Sequence, residues 1–195
     1  MKKFFPNAEE LWSIRIKYKG NTYLTLYGGW NYDSVLHNDS SILYFRSTGD
    51  MKLFCEKNGF RVDDDIWEYD FEAPIENPVD YRRILENWNL LNTIAKDFGM
   101  FFEGDGKKYN ALYDLLFRLN TPVDPIPPTY DMSEKYYQYI LKVFRKKDRF
   151  LRRLELYEEK YPMRKGDPSH DERLQDTTLA GESRTKKATE EIGNN

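Results

Sequence analysis

The stretch Asp80–Phe98, DYRRILENWNLLNTIAKDF, constrains this chain more than any other. Tyr81, Ile84, Leu85, Trp88, Leu91, Ala95 and Phe98 recur at steps of three and four, so on an α-helix they fall along one stripe. Arg82, Arg83, Glu86, Asn89 and Lys96 fall elsewhere. Asp80 stands where an N-terminal cap belongs, and Gly99 where a left-handed residue ends a helix. An apolar stripe of this length has to be covered, which makes the helix the hub of one core.

Material to cover it lies on both sides in sequence. Trp12–Tyr18 alternates Trp12, Ile14, Ile16 and Tyr18 with Ser13, Arg15 and Lys17, the two-residue period of a half-buried strand. Lys19-Gly20-Asn21 is turn chemistry, and Thr22–Tyr27 alternates again, which predicts a β-hairpin. Ser41–Arg46 is a short β-rich run, and Thr48-Gly49-Asp50 caps a short helix, Met51–Lys57, closed by Asn58-Gly59. A last strand, Ile66–Phe71, sets Ile66, Glu68 and Asp70 against Trp67, Tyr69 and Phe71, which predicts an aromatic face inward and an acidic face outward.

Beyond the hub, Lys107–Leu119 has a helical stripe of Tyr109, Leu112, Tyr113, Leu116 and Phe117. Pro122, Pro125, Pro127 and Pro128 make Asn120–Thr129 an extended connector. Asp131 and Glu134 have capping-box spacing and open a third helix, Ser133–Tyr161. The expected fold is α+β: an N-terminal antiparallel β-sheet packed against a C-terminal layer of three helices. From Met163 to Asn195 there is no aromatic residue and little aliphatic surface to offset ordering entropy, so the expected division is one domain, 1–162, and a disordered tail, 163–195.

Chemistry is harder to find. One cysteine, Cys55, makes no internal disulfide. MKKFFPNAEELW has no apolar core for a signal peptide, and no run approaches the roughly 20 apolar residues of a membrane span. A soluble, cytoplasmic protein is expected. His37 and His170 are the only histidines and read as solvated residues of a loop and the tail; with Cys55 they offer no metal-ligand spacing. Gly28-Gly29 and Gly104-Asp105-Gly106 lack the Lys-Ser/Thr and the strand of a phosphate loop, and read as turns. No catalytic, cofactor-binding or metal-binding residue is expected, and the chain reads as a non-enzyme.

Charge is unevenly spread. Residues 1–80 hold nine Lys+Arg and fourteen Asp+Glu (−5), while residues 81–195 hold twenty-one and nineteen (+2). Asp63, Asp64, Asp65, Glu68, Asp70, Glu72, Glu76 and Asp80 form a stretch with no basic residue among them. On a strand such a cluster is a solvated face, a recognition surface for a basic partner, or a site for a hard cation. The calcium-loop pattern is absent. As a recognition surface it comprises Asp63, Asp64, Asp65, Trp67, Glu68, Tyr69, Asp70 and Glu72. Lys142, Arg145, Lys146, Lys147, Arg149, Arg152 and Arg153 form a basic run relieved by Asp148 alone, and the alternative is a nucleic-acid-binding protein using the helix at 142–153. The acidic total and the lack of a nucleic-acid motif argue against that alternative.

The run Glu86–Phe117 resembles a pattern found in immunity proteins of bacterial polymorphic-toxin and contact-dependent growth-inhibition systems. Its marks are Trp88-Asn89-Leu90-Leu91, the break at Gly104-Asp105, Lys108-Tyr109-Asn110, Tyr113-Asp114-Leu115-Leu116-Phe117 and Thr121-Pro122. Asp124–Pro128 and the basic helix after it depart from that pattern. The resemblance implies a protein that binds the C-terminal effector domain of a cognate toxin in the cytoplasm and blocks it. It carries over no catalytic residue. If the effector is a nuclease, its nucleic-acid groove is basic, and an acidic, aromatic-studded face at 63–76 suits such a groove.

Overall fold

The computed structural model describes residues 10–29, 33–38, 40–121, 127–152 and 155–158. The tail expected at 163–195 lies outside them, as do residues 122–126 of the connector.

Strands β1 (Glu10–Tyr18) and β2 (Asn21–Gly28) form the expected hairpin. Its two turn residues, Lys19 and Gly20, both have positive φ, at 52° and 69°, the twist that a two-residue hairpin loop needs. β3 (Ser34–Val35) pairs antiparallel with β2, and β5 (Arg61–Asp70) pairs with the other side of β1, giving the order β3-β2-β1-β5. The fold class is α+β, but the sheet is mixed, because β5 runs parallel to β1. A parallel neighbour needs a crossover, and β4 (Ser41–Tyr44) with helix α1 (Thr48–Asn58) provides it. Side-chain alternation is the same in parallel and antiparallel strands, so the sequence pattern does not distinguish them.

Helices cover both faces. On one, helix α2 (Tyr81–Asp97) buries Tyr81, Ile84, Leu85, Trp88, Leu91 and Ile94 against Ile14, Ile16, Tyr69 and Phe71. Asp80 caps α2 by accepting from Arg83 N at 3.1 Å. Gly99, at φ 59°, donates to Lys96 O in the turn that follows. Two short 3-10 turns (Glu103–Asp105 and Lys107–Tyr109) lead into α3 (Asn110–Asn120), and α4 (Glu134–Leu151) follows the connector. α2, α3 and α4 are the three expected C-terminal helices, and they share one core. On the opposite face α1 closes a second, smaller core from Leu24, Leu26, Leu43, Phe45, Met51 and Phe54.

Trp88 is the centre of the larger core, with the rings of Phe102, Tyr109, Tyr113 and Phe144 around it at centroid distances of 5.8 to 6.4 Å. Gly104 is required there by space. A Cβ at that position would stand 2.7 Å from Trp88 Cε2 and closer still to Phe102 Cε1.

The third helix stops at Leu151 rather than Tyr161. Residues Glu155–Glu158 instead form strand β6, which pairs parallel with β4 from Ser41↔Glu155 to Tyr44↔Glu158. The helical stripe does continue in sequence, but β4 lies outside the main sheet and takes those residues as its partner; this long-range pairing overrides local periodicity. Among the described residues no helix is long and apolar enough to cross a membrane.

Candidate partner interface

β5 carries the acidic stretch and is an outer strand of the four-stranded sheet. Its register with β1 is interrupted: Leu11 pairs with Val62 and Ser13 with Ile66, so Asp63, Asp64 and Asp65 stand opposite the single residue Trp12. The surplus residues leave the ladder as a bulge, with all three side chains exposed. The bulge is held by Ser13 Oγ donating to Asp63 O at 3.3 Å and by Asp65 N donating to Asp63 Oδ1 at 3.3 Å.

The eight residues of the predicted surface divide into three groups. Some carboxylates are occupied by the fold itself. Asp64 accepts from Lys52 Nζ on α1 at 2.7 Å, and that bond holds its carboxyl below the usual range. Glu68 accepts from Arg15 at 2.6 Å and lies 3.5 Å from Lys17, and the Arg15 bond is the first cause of its lowered pKa. Asp70 accepts from the backbone N–H groups of Glu72 and Ala73, each at 2.9 Å, and Glu72 accepts from Gly20 N with both oxygens at 3.0 Å. The outward face of β5 is therefore striped with β1 cations rather than uniformly acidic.

Tyr69 forms the second group: 8% exposed, it packs in the core and offers nothing to a partner. Burial pushes its phenol up to about 12. The third group meets no cation among the described residues, although Asp63 Oδ1 accepts from Asp65 N within the bulge. Asp63 and Asp65 have no ion-pair partner among the described residues. Trp67 is 54% exposed, although alternation places it on the same face as Tyr69 and Phe71. α2 reaches β5 near its end, where Asn87 Nδ2 donates to Asp70 O at 2.9 Å, and Trp67 is not among the residues of the core it covers.

Trp12, on the same face of β1, is also exposed, at 39%, and leans on Tyr27 with ring centroids 6.2 Å apart. Burial and then the hydrogen bond that its hydroxyl donates to Asp33 raise the Tyr27 phenol, so it stays neutral. Alternation places Trp12 on a strand but does not show that it is uncovered, because its place opposite Asp63, Asp64 and Asp65 depends on a pairing between distant parts of the chain. The surface available to a partner is therefore Trp67 and Trp12 with Asp63 and Asp65, along a strand edge with no further strand among the described residues.

The other candidate groups have local roles. His37 is buried, not solvated: Nδ1 lies 2.6 Å from Asn38 O and the ring packs on Phe98 at 5.1 Å. Cys55 is on the buried side of α1, and desolvation pushes its thiol up to about 11. Among the described residues no three His, Cys, Asp or Glu side chains are arranged to hold a metal ion.

The sequence matches no family model and no curated protein. Among solved structures, the crystal structure of the SatS C-terminal domain in complex with bromine is similar, with a TM-score of 0.47 and 16% identity, covering 76% of this chain and 94% of that one.

Proposed function

We propose that this chain is an immunity-type binding protein that neutralises a cognate toxin effector domain in the cytoplasm by covering it, and that it performs no bond-making chemistry. The observation that carries the reading is Trp67, half exposed on an outer strand beside the uncompensated Asp63 and Asp65. A buried core has no use for an exposed tryptophan, whereas tryptophan is enriched where interfaces concentrate binding energy. Unpaired edge N–H and C=O groups accept an added strand, and unpaired carboxylates speed the approach of a basic partner. A nuclease effector is basic where it holds nucleic acid. The run that resembles immunity proteins supports the reading only through the scaffold, because Trp88, Leu91, Tyr109 and Leu116 are core residues.

The test is protection in cells expressing the cognate toxin domain. Trp67→Ala, and separately Asp63→Lys with Asp65→Lys, are expected to abolish protection while leaving the melting temperature within a few degrees of wild type, since none of the three is buried. Full protection by both variants refutes this surface. A second reading, nucleic-acid binding through α4, is favoured by Lys142 and Arg145, which have no ion-pair partner among the described residues. Lys146 and Lys147 are engaged with Glu103 and Asp148. A gel shift at two salt concentrations decides it, since phosphate contacts give a steep salt dependence.

A further inference from the structure

At the end of β5, below the β1–β2 turn, α4 passes the first turns of α2 and leaves a cleft of about 470 Å³. This is within the range of sites that hold small molecules. Phe71, Ile84 and Phe144 contribute apolar surface, and Lys19, Arg83, Arg145 and Lys147 bring positive charge to the lining. Asp70, Glu72 and Asp148 are also present, so formal charge nearly balances; the hydrogen-bonding state of the groups does not.

The Asp70 and Glu72 carboxylates are taken up by backbone N–H groups of the turns that shape the rim, and Asp148 lies 3.9 Å from Lys147. Arg83 donates to Pro74 O at 2.7 Å and lies 3.7 Å from Asp80. Arg145 has no such partner among the described residues, and Lys19 has only the Tyr18 ring, 5.1 Å away. Tyr18 adds an independent sign. It is 8% exposed, lines the cleft, and its hydroxyl is buried without a well-formed hydrogen bond, although the Asp148 carboxylate lies near enough to add to burial in raising its pKa. Phenylalanine would fill the same space without leaving a buried donor unpaired.

We propose that this cleft binds a small organic anion, a carboxylate or phosphate carried on an apolar body. Arg145 and Lys19 meet the charge, the Tyr18 hydroxyl donates to an anionic oxygen, and Phe71, Ile84 and Phe144 hold the body. The site is separate from Trp67 and does not depend on toxin neutralisation.

The experiment titrates the full chain with benzoate, phenyl phosphate and benzylamine, following amide chemical shifts and calorimetry. Both anions are expected to saturate, shifting residues around Tyr18 and Arg145, and their relative affinity tells carboxylate from phosphate. Arg145→Gln is expected to weaken the better anion about tenfold, the effect of losing a charge-assisted hydrogen bond. Tyr18→Phe is expected to weaken it about threefold, as a neutral donor would. Arg145 is exposed, so its variant tests the site without disturbing the core. No saturable binding of either anion, tighter binding of benzylamine, or unchanged affinity in Arg145→Gln overturns the proposal.

Discussion

Replacing Glu103 with Gln tests how the helical layer is locked together. Glu103 sits in the 3-10 turn after α2, its side chain only 10% exposed, and joins three elements. Its Oε1 accepts from Tyr109 Oη at 2.8 Å and from Lys108 Nζ at 3.1 Å, while Oε2 accepts from Lys146 Nζ of α4 at 2.6 Å. The Lys146 bond comes first among the causes that lower its pKa from 4.5 to about 2; burial opposes, and the Tyr109 and Lys108 bonds add to the lowering. At about 1.4 kcal/mol per unit the full displacement corresponds to about 3 kcal/mol. Both lysines are about half exposed, and solvent screening brings the expected cost of Glu103→Gln at neutral pH nearer about 2 kcal/mol.

A carboxylate whose pKa is depressed in the folded state stabilises above its unfolded value and loses that contribution as pH falls through the folded one. The difference between wild type and Glu103→Gln should therefore be complete above about pH 5, shrink from 4.5 toward 2, and vanish below that. Urea unfolding followed by tryptophan fluorescence, with Trp88 in the same core, measures this at each pH. Comparing the two proteins at one pH removes the titration of every other carboxylate. A difference below about 0.5 kcal/mol at neutral pH, or one that does not change between pH 6 and pH 2, refutes the assignment, since that lies within the range of about 0–1 kcal/mol of an ordinary surface pair.

Two further outcomes follow from packing. Gly104→Ala is expected to destabilise by about 1–3 kcal/mol, because its Cβ meets Trp88 and Phe102 with no room to yield, and equilibrium unfolding checks it. The Cys55 thiol, buried and pushed up to about 11, is expected to resist a thiol reagent at neutral pH in the folded protein and to react promptly in denaturant; fast labelling without denaturant contradicts the burial.

What the sequence conveyed was local. The α2 stripe, its Asp80 cap and the β1–β2 hairpin are each set by residues within a turn or two of one another, and they stand where periodicity and turn chemistry place them. The parallel pairing of β5, the end of α4 at Leu151 and the β4–β6 pair depend on partners far away in the chain, which leave no trace in local alternation. The candidate surface was legible only in part for the same reason. Eight residues adjacent in sequence read as one face, but Arg15 and Lys17 neutralise Glu68 only once β1 lies beside β5, and Lys52 reaches Asp64 only through α1. Trp67 and Tyr69 share a face by alternation, yet one is exposed and the other buried, because α2 covers only part of the strand.

The most direct measurement is calorimetric titration of the cognate effector domain with wild type and with the triple variant Asp63→Lys, Asp65→Lys, Trp67→Ala. If the β5 edge is where this protein grips its target, affinity should fall by about a hundredfold or more, the loss expected of an interface anchor together with its steering charges. Dissociation constants within about threefold of each other would mean that the target is held by another face.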